Sequence, residues 1–481
     1  VAQYQTIIQV IGALLVVLGG TMLLPALTDL QNGAPEWRVF VLSSAVTAGT
    51  GLLLVLSTRT TERSTLRLKQ AFLLTAAVWT VIPAFGAIPF LGLGISYADA
   101  FFESASGFTT TGSTVLVGLD ELPRGILLWR SVLQWIGGVG IIVLAMIIMP
   151  FLGVGGMQLF RAESSDRSEK VLARSSDLVA WIAAVYGVLT LLCTLAYAAA
   201  GMTFFDALAH AMTTLSTGGY STHDASFGHF QSEALEWIAV VFMICGGLPL
   251  VLFIAAIRGE PGRIGRDPQT RWFLIFLAAV SFLAAVWLSL RTGIAFDDAM
   301  RLVAFNAVSV VTTTGYASVD YTLWGPFAVG LFFMLTFVGG CTGSTAGGIK
   351  IYRFVILFQV IKRQFRMLAS PSRLEAMKYA GARIPEDVPP SVLAFLTLYV
   401  ATTAAVTLIL VLLGLDFVTA ISSAATAISN VGPGLGEIVG PAGNFSTLPD
   451  MAKSVLAVAM ILGRLELFTV LILLDPGYWR W

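Results

Sequence analysis

The stretch Thr312-Thr313-Thr314-Gly315-Tyr316 closes a short apolar run, too brief to cross a bilayer, with a full-length apolar run on either side. Three other segments sit in the same setting: Thr109-Thr110-Thr111-Gly112, Leu215-Ser216-Thr217-Gly218 and Ser429-Asn430-Val431-Gly432. Extended backbone at membrane depth is tolerated only where it is buried in protein or lines a watery cavity. The four glycines stand 106, 97 and 117 residues apart, an internal repeat that calls for one supersecondary unit used four times. Four such segments are therefore expected to build one ring of backbone carbonyls around one axis. A ring of that kind replaces the hydration shell of a potassium ion.

Each repeat reads as a spanning helix, a short pore helix, a filter segment and a second spanning helix. In the first these are 68–92, 97–108, 109–113 and 124–150; in the second, 178–200, 203–215, 216–220 and 232–257. The third has 271–291, 296–311 and 312–316, then an interrupted helix from 324 to about 367; the fourth has 390–413, 416–428, 429–433 and 450–474. Ahead of them, runs at 6–29 and 37–57 form a hairpin with no filter segment. Its first run is too long for a signal peptide and lacks a cleavage-site pattern, so it is expected to be retained. The fold class is an all-α polytopic membrane protein, with a transmembrane hairpin at 1–60 and pore repeats at 61–160, 161–260, 261–380 and 381–481.

Composition agrees: of 481 residues, 57 % are apolar and 12 % charged, against roughly 25 % charged in soluble domains. The lipid bilayer is the partner this demands. Net charge is zero, and no nucleic-acid partner is expected. The distribution of charge says more. Four Lys or Arg lie in 59–69, four in 161–174, four in 258–271 and eight in 350–383, whereas 221–236 and 316–325 have none. The positive-inside rule places the basic connections and both termini in the cytoplasm and the filter segments toward the outside. Cys193, Cys245 and Cys341 are scattered packing residues without disulfide spacing. His210, His223 and His229 show no ligand spacing either, and no metal site is expected from them.

Asp99, Asp206, Asp298 and Asp416 recur where the pore helices begin, 13, 12, 17 and 16 residues before the glycines. They are expected to be N-caps, leaving the partly negative helix ends aimed at the filter. The filter glycines reach positive φ without a steric penalty, which lets carbonyls turn inward, and hydroxyls such as those of Thr110 and Thr313 add oxygens. The last helix of the third repeat is broken between Gly339 and Gly348, five glycines in ten residues. Each glycine in a helix interior costs about 1 kcal/mol against Ala, so the run reads as an intramembrane loop; close helix packing is the alternative. Arg464 lies in the apolar span Val455 to Leu474. It faces either the pore, as a positive barrier, or a carboxylate on another helix, because Glu466 two residues on cannot face it along a helix.

Four motifs are specific: Leu128-Trp129-Arg130 followed by Gln134-Trp135-Ile136-Gly137-Gly138; Leu152-Gly153-Val154-Gly155-Gly156-Met157-Gln158; Gly339 through Lys350; and Asn430-Val431-Gly432-Pro433-Gly434-Leu435-Gly436. Through them the chain resembles the TrkH/TrkG potassium-uptake proteins of the Trk/Ktr/HKT superfamily, over essentially its whole length. The extra N-terminal hairpin is similar to TrkH more than to the shorter KtrB subunits. The resemblance implies potassium as the ion carried, the bacterial inner membrane as its location, and a homodimer in which each protomer has its own pore. It implies a cytoplasmic nucleotide-binding regulator of the TrkA type and no organic cofactor. It places Gly340, Cys341, Thr342, Gly343, Ser344, Thr345, Ala346 and Gly347 beneath the filter as a gate, joined here by Arg464. It also implies one glycine per filter repeat, hence looser selectivity than in dedicated potassium channels. The residues after the glycines depart from a uniform filter: Ser113, Gly219, Tyr316 and Pro433.

Three functions compete. The first is a passive, gated potassium pore. The second is a secondary transporter coupling potassium to protons or sodium, which needs a relay of intramembrane acids or histidines; Glu103, His210 and Glu466 are the scattered candidates. The third is a membrane-embedded hydrolase, for which no His/Asp/Glu constellation has catalytic spacing, and a Ser or Thr beside Gly is no nucleophile without a base. The chain is not expected to be an enzyme.

Overall fold

The computed structural model describes residues 2–58, 68–152, 175–370, 377–379 and 382–479. Most of the basic segments at 59–69 and 161–174, part of that at 350–383, and the Gly153 to Gln158 motif lie outside the described residues. Among the described residues, seven helices are long and apolar enough to cross a bilayer, or up to nine if two bent pairs each count as one span.

The N-terminal hairpin consists of α1 (Ala2–Thr21), α2 (Leu23–Gln31) and α3 (Trp37–Ser57). Its helices cross on small residues. A Cβ at Gly51 would stand 2.5 Å from the Gly12 carbonyl oxygen, and one at Gly19 would stand 2.8 Å from the Ala48 nitrogen. Without a hydrophobic driving force between helices in lipid, such close backbone approach is what holds them.

The first repeat contains α4 (Leu68–Gly86), pore helix α5 (Tyr97–Phe108) and α6 (Arg124–Leu152). The second has α7 (Ser175–Ala199), pore helix α8 (Phe204–Leu215), α9 (Glu233–Gly247) and α10 (Leu250–Ile257). The third has α11 (Pro268–Thr292), pore helix α12 (Phe296–Val311), α13 (Pro326–Leu335) and α14 (Ile351–Ala369). The fourth has α15 (Val388–Leu412), pore helix α16 (Phe417–Ser429), α17 (Asp450–Arg464) and α18 (Phe468–Leu471). The pore helices are mostly buried, while apolar side chains on outer helices such as Leu53, Leu283 and Leu412 are exposed, as lipid-facing positions require.

Two expected straight spans are bent. α9 and α10 meet at 96° and α17 meets the helix after it at 105°. In the second repeat Pro249 holds Leu248 extended (φ −90°, ψ 155°), because proline excludes the helical region for the residue before it. In the fourth, Glu466 and Leu467 take φ of 58° and 44°, and the Glu466 carboxylate reaches Arg353 at 2.7 Å. The break in the third repeat is longer than expected, running from Thr336 to Lys350 between α13 and α14.

The acidic residues at the pore-helix starts also need correction. Only Asp416 is an N-cap, accepting from the Thr419 amide at 3.0 Å. Ser96 and Thr203 cap α5 and α8, and Asp99 and Asp206 sit at the third helical position. Asp298 holds that position in α12, whose N-cap, Ala295, has no side-chain hydrogen bond to give. In α5 and α8 this is the arrangement of a capping box, in which the cap side chain accepts from the third amide and the acidic residue lies in the first turn.

Candidate functional site

Each pore helix ends the same way. Thr109, Ser216 and Thr312 close their helices at φ of −77°, −74° and −75°. The next residue turns to positive φ: Thr110 54°, Thr217 51° and Thr313 59°, matched by Asn430 at 56° after Ser429. Next come Thr111, Gly218, Thr314 and Val431, whose amides donate back to Ser106, Thr213, Ser309 and Thr426 at 2.8, 2.9, 2.8 and 3.1 Å. A positive-φ glycine follows in every case: Gly112, Gly219, Gly315 and Gly432.

The second segment is therefore Ser216-Thr217-Gly218-Gly219, one residue later than the expected Leu215–Gly218. Leu215 is the last residue of α8, and Gly218 occupies the place of Thr111, Thr314 and Val431. The Gly-Gly pair hid the register, because only one of the two needs positive φ.

The four segments close on one another in a circle. A Cβ built on Gly112 would stand 2.2 Å from the Gly218 oxygen, on Gly219 1.8 Å from that of Thr314, and on Gly315 1.9 Å from that of Val431. On Gly432 it would stand 3.0 Å from the Thr111 oxygen, which returns to the first repeat. The first and last repeats are also joined directly. Ser113 Oγ donates to the Gly432 carbonyl at 2.7 Å, and Asn430 Nδ2 to Thr111 Oγ1 at 2.9 Å. One open cavity is lined by all four glycines.

Behind the ring stands a buried ion pair. Arg130 Nε meets Glu103 Oε1 at 2.8 Å, with side chains 1 % and 0 % exposed. Glu103 also accepts from Thr114 Oγ1 and the Val115 amide, while Arg130 donates to the Ser221 carbonyl at 2.7 Å and lies over the Tyr220 ring at 4.0 Å. Gln134 Nε2 donates to the Gly218 carbonyl at 2.7 Å, and its Oε1 accepts from the Tyr220 amide at 3.0 Å. The Leu128–Gly138 motif thus supplies the brace for the second of these segments.

The glycine-rich loop lies against the other edge of the ring. Thr345 Oγ1 donates to the Leu215 carbonyl at 2.9 Å, and Gly347 N donates to Thr313 Oγ1 at 2.7 Å. Thr217 Oγ1 meets Thr345 Oγ1 at 3.2 Å, and a Cβ on Gly347 would stand 2.5 Å from the Ser429 oxygen. Cys341 N and Thr345 N donate to the Gly247 and Gly246 carbonyls, and Gly343 O accepts from Leu250 N. Gly340, Cys341, Thr342, Ser344 and Ala346 complete a loop whose freed backbone groups find polar partners inside protein.

Arg464, 3 % exposed, donates from Nη1 to the Thr345 carbonyl at 2.9 Å. Its Nε and Nη2 have no hydrogen-bond partner, and no carboxylate pairs with it among the described residues. Glu466 is taken by Arg353, whose guanidinium lies 3.6 Å over Phe395. A cavity is bordered by Thr342, Gly347, Lys350 and Arg464.

At the rim of the filter-side cavity the structure gathers residues that the sequence kept apart. Asp120, His223 and His229 lie together. The hydrogen bond from His223 holds the Asp120 carboxyl below the usual carboxylate range. Burial by itself would lower His223, but the Asp206 and Asp120 carboxylates outweigh it and lift it above its ordinary value. Only the fold, which apposes the post-filter segments of repeats one and two, reveals this group.

A fourfold ring of re-entrant segments, closed within one polytopic chain and covered on one side by a loop, defines a membrane transport protein of the pore-loop class. The TrkH family model, described as cation transport protein, matches residues 39–476, and the chain belongs to that family. It is 45 % identical to the Trk system potassium uptake protein TrkI of Halomonas elongata, over 99 % of this chain and 97 % of that one. It is 39 % identical to TrkH of Vibrio parahaemolyticus, over 99 % and 100 %. The crystal structure of the potassium transporter TrkH from Vibrio parahaemolyticus superposes with a TM-score of 0.91 at 36 % identity, covering 99 % of this chain and all of that one.

Proposed function

We propose that this chain is the pore-forming subunit of a potassium-uptake system in the bacterial inner membrane. Potassium passes through the ring formed by Thr109–Gly112, Ser216–Gly219, Thr312–Gly315 and Ser429–Gly432. The observation that carries this reading is the circular packing of each filter glycine against the next repeat's carbonyl. A ring of backbone carbonyls stands in for water around a cation. The chain divides as a hairpin at 1–60 and repeats at 61–160, 161–260, 261–380 and 381–481, with both termini cytoplasmic. The loop at 340–347 and Arg464 form the gate on the cytoplasmic side. In support, the Thr342 amide is held by Gln269 Oε1 at 2.9 Å, within the basic connection at 258–271. The chain works as a homodimer with a nucleotide-binding regulator of the TrkA type docked on that face, and catalyses no chemical conversion.

The coupled-transporter reading draws no support from the relay candidates. Glu103 is held by Arg130 and Glu466 by Arg353, and His210 lies between the Asp206 carbonyl and Ser221 Oγ at 2.8 and 2.9 Å. Reversal potentials of the reconstituted protein under opposed potassium and proton gradients test the choice. A passive pore follows the potassium gradient alone. A fixed charge ~7 Å from the path at an effective dielectric near 20 repels a monovalent cation by about 2.4 kcal/mol. Arg464→Ala, or shortening the loop across Thr342 to Gly347, is therefore expected to raise regulator-free flux per folded molecule. No gain from either variant rejects the gate, and the two need not add because they act on one constriction.

A further inference from the structure

Asp120, His223 and His229 serve no role in the ring, yet they are arranged with care. The two imidazoles are stacked, with centroids 3.5 Å apart and planes inclined by 4°. Both present Nδ1 to Asp120 Oδ1, His223 in direct contact and His229 at 3.9 Å. Asp120 Oδ2 accepts from the Asp224 amide at 3.3 Å, which leaves Oδ1 as the coordinating oxygen. On the far side of the His223 ring, Nε2 faces Asp206 Oδ1 at 3.6 Å. Asp206 is itself fixed by the hydroxyls of Thr203 and Thr222 at 2.6 and 2.7 Å. A carboxylate behind one ring nitrogen, with the other turned toward a ligand carboxylate, is the support that metal-bound histidines have once that contact opens. Two imidazoles and one carboxylate suit a borderline-soft divalent ion of the zinc kind, whereas magnesium and calcium prefer oxygen throughout. Zinc ligands stand about 2.0–2.1 Å from the ion and so roughly 3.3 Å from one another. Reaching that spacing needs the Asp120–His223 contact to open and the His229 side chain, 45 % exposed, to turn out of the stack.

We propose that Asp120, His223 and His229 bind a zinc-class divalent cation that ties the post-filter segments of the first two repeats together at the pore mouth and slows cation entry. The segments are already joined there by the Leu119 amide, which donates to Asp224 Oδ2 at 3.1 Å. The ion would add two positive charges beside the cavity that His223 and Asp224 line. The effect on entry rests on the pore reading above; the binding does not. The test is calorimetric titration of the EDTA-stripped, full-length protein with zinc chloride. One ion per chain is expected, and His229→Ala and Asp120→Asn should each weaken it by more than about tenfold, the lower bound when merely an outer partner of a ligand is lost. External zinc should reduce rubidium flux into proteoliposomes carrying the wild type and not those carrying His229→Ala, whose zinc-free flux should match the wild type. Equal zinc affinity in the wild type and both variants overturns the site, and undiminished wild-type flux at saturating zinc overturns its action at the mouth. The zinc-free flux reads the pore itself, so the two failures stay distinct.

Discussion

Gly315 leaves no room for a side chain: its φ is +81° and a Cβ would stand 1.9 Å from the Val431 carbonyl oxygen. Gly315→Ser is expected to lower potassium-over-sodium selectivity or abolish uptake while insertion continues, read as reversal potential against folded yield. The second repeat offers a sharper comparison. Gly219 is held at φ +75° and Gly219→Ala meets the Thr314 backbone at 1.8 Å, whereas Gly218→Ala meets a side chain, the Gln134 amide, at 2.4 to 2.7 Å. Gly219→Ala should be the more damaging to selectivity; equal effects would return the register to the one expected from sequence. At this scale the sequence was legible where chemistry and backbone demand coincide, as at Gly112, Gly315 and Gly432. It was not legible at Thr110, Thr217 and Thr313, because positive φ in a β-branched residue is rare and is imposed by its surroundings. The caps Ser96 and Thr203 each carry a sequence signal, an acidic residue three positions on, because either hydroxyl or carboxylate can satisfy a first-turn amide.

Among elements, the pore helices rest on glycines of the following helices. A Cβ on Gly137 would stand 1.9 Å from the Phe108 oxygen and one on Gly463 2.0 Å from that of Ile428, while Gly140 has nothing within 4 Å. Gly137→Ala and Gly463→Ala should each destabilise by at least the ~1–3 kcal/mol of an overpacked core, and Gly140→Ala should be close to neutral, in thermal melts of the detergent-solubilised protein. The Arg130–Glu103 brace makes a second prediction. Arg130→Met leaves a buried carboxylate unpaired and should cost about 3–5 kcal/mol, whereas adding Glu103→Leu should recover much of it. Loss of stability in the double variant equal to that in Arg130→Met would show that the charge itself is not what matters. The pore-helix spans were legible from apolar run length, and the α9–α10 bend had its signal in Pro249. The bend after Arg464 had none: it depends on Arg353, 113 residues earlier in the chain, drawing Glu466 aside.

For the whole molecule, the breaks in repeats two, three and four converge on one loop, held by Gly246, Gly247, Leu250 and Arg464. If this loop is the gate proposed above, opening releases these contacts together, and Cys341, fully buried in the loop, would report it. In a background with Cys193→Ala and Cys245→Ala, a cationic thiol reagent should modify Cys341 only under conducting conditions. Modification at the same rate when flux is blocked would place the barrier elsewhere. The fourfold plan and the membrane class were legible because bilayer thickness sets the length of every apolar run. The circular contacts were not, since each joins residues about a hundred or more positions apart. That one chain supplies every quadrant has a further consequence. In a pore assembled from four identical subunits, any substitution enters the ring four times and its penalty is multiplied accordingly. Here each substitution enters once, so the free-energy step is about a quarter as large and three quadrants stay intact to hold the fourth. Such a ring can drift asymmetrically, one sector at a time, and Ser113, Tyr220, Tyr316 and Pro433 after its four segments are the marks of that freedom.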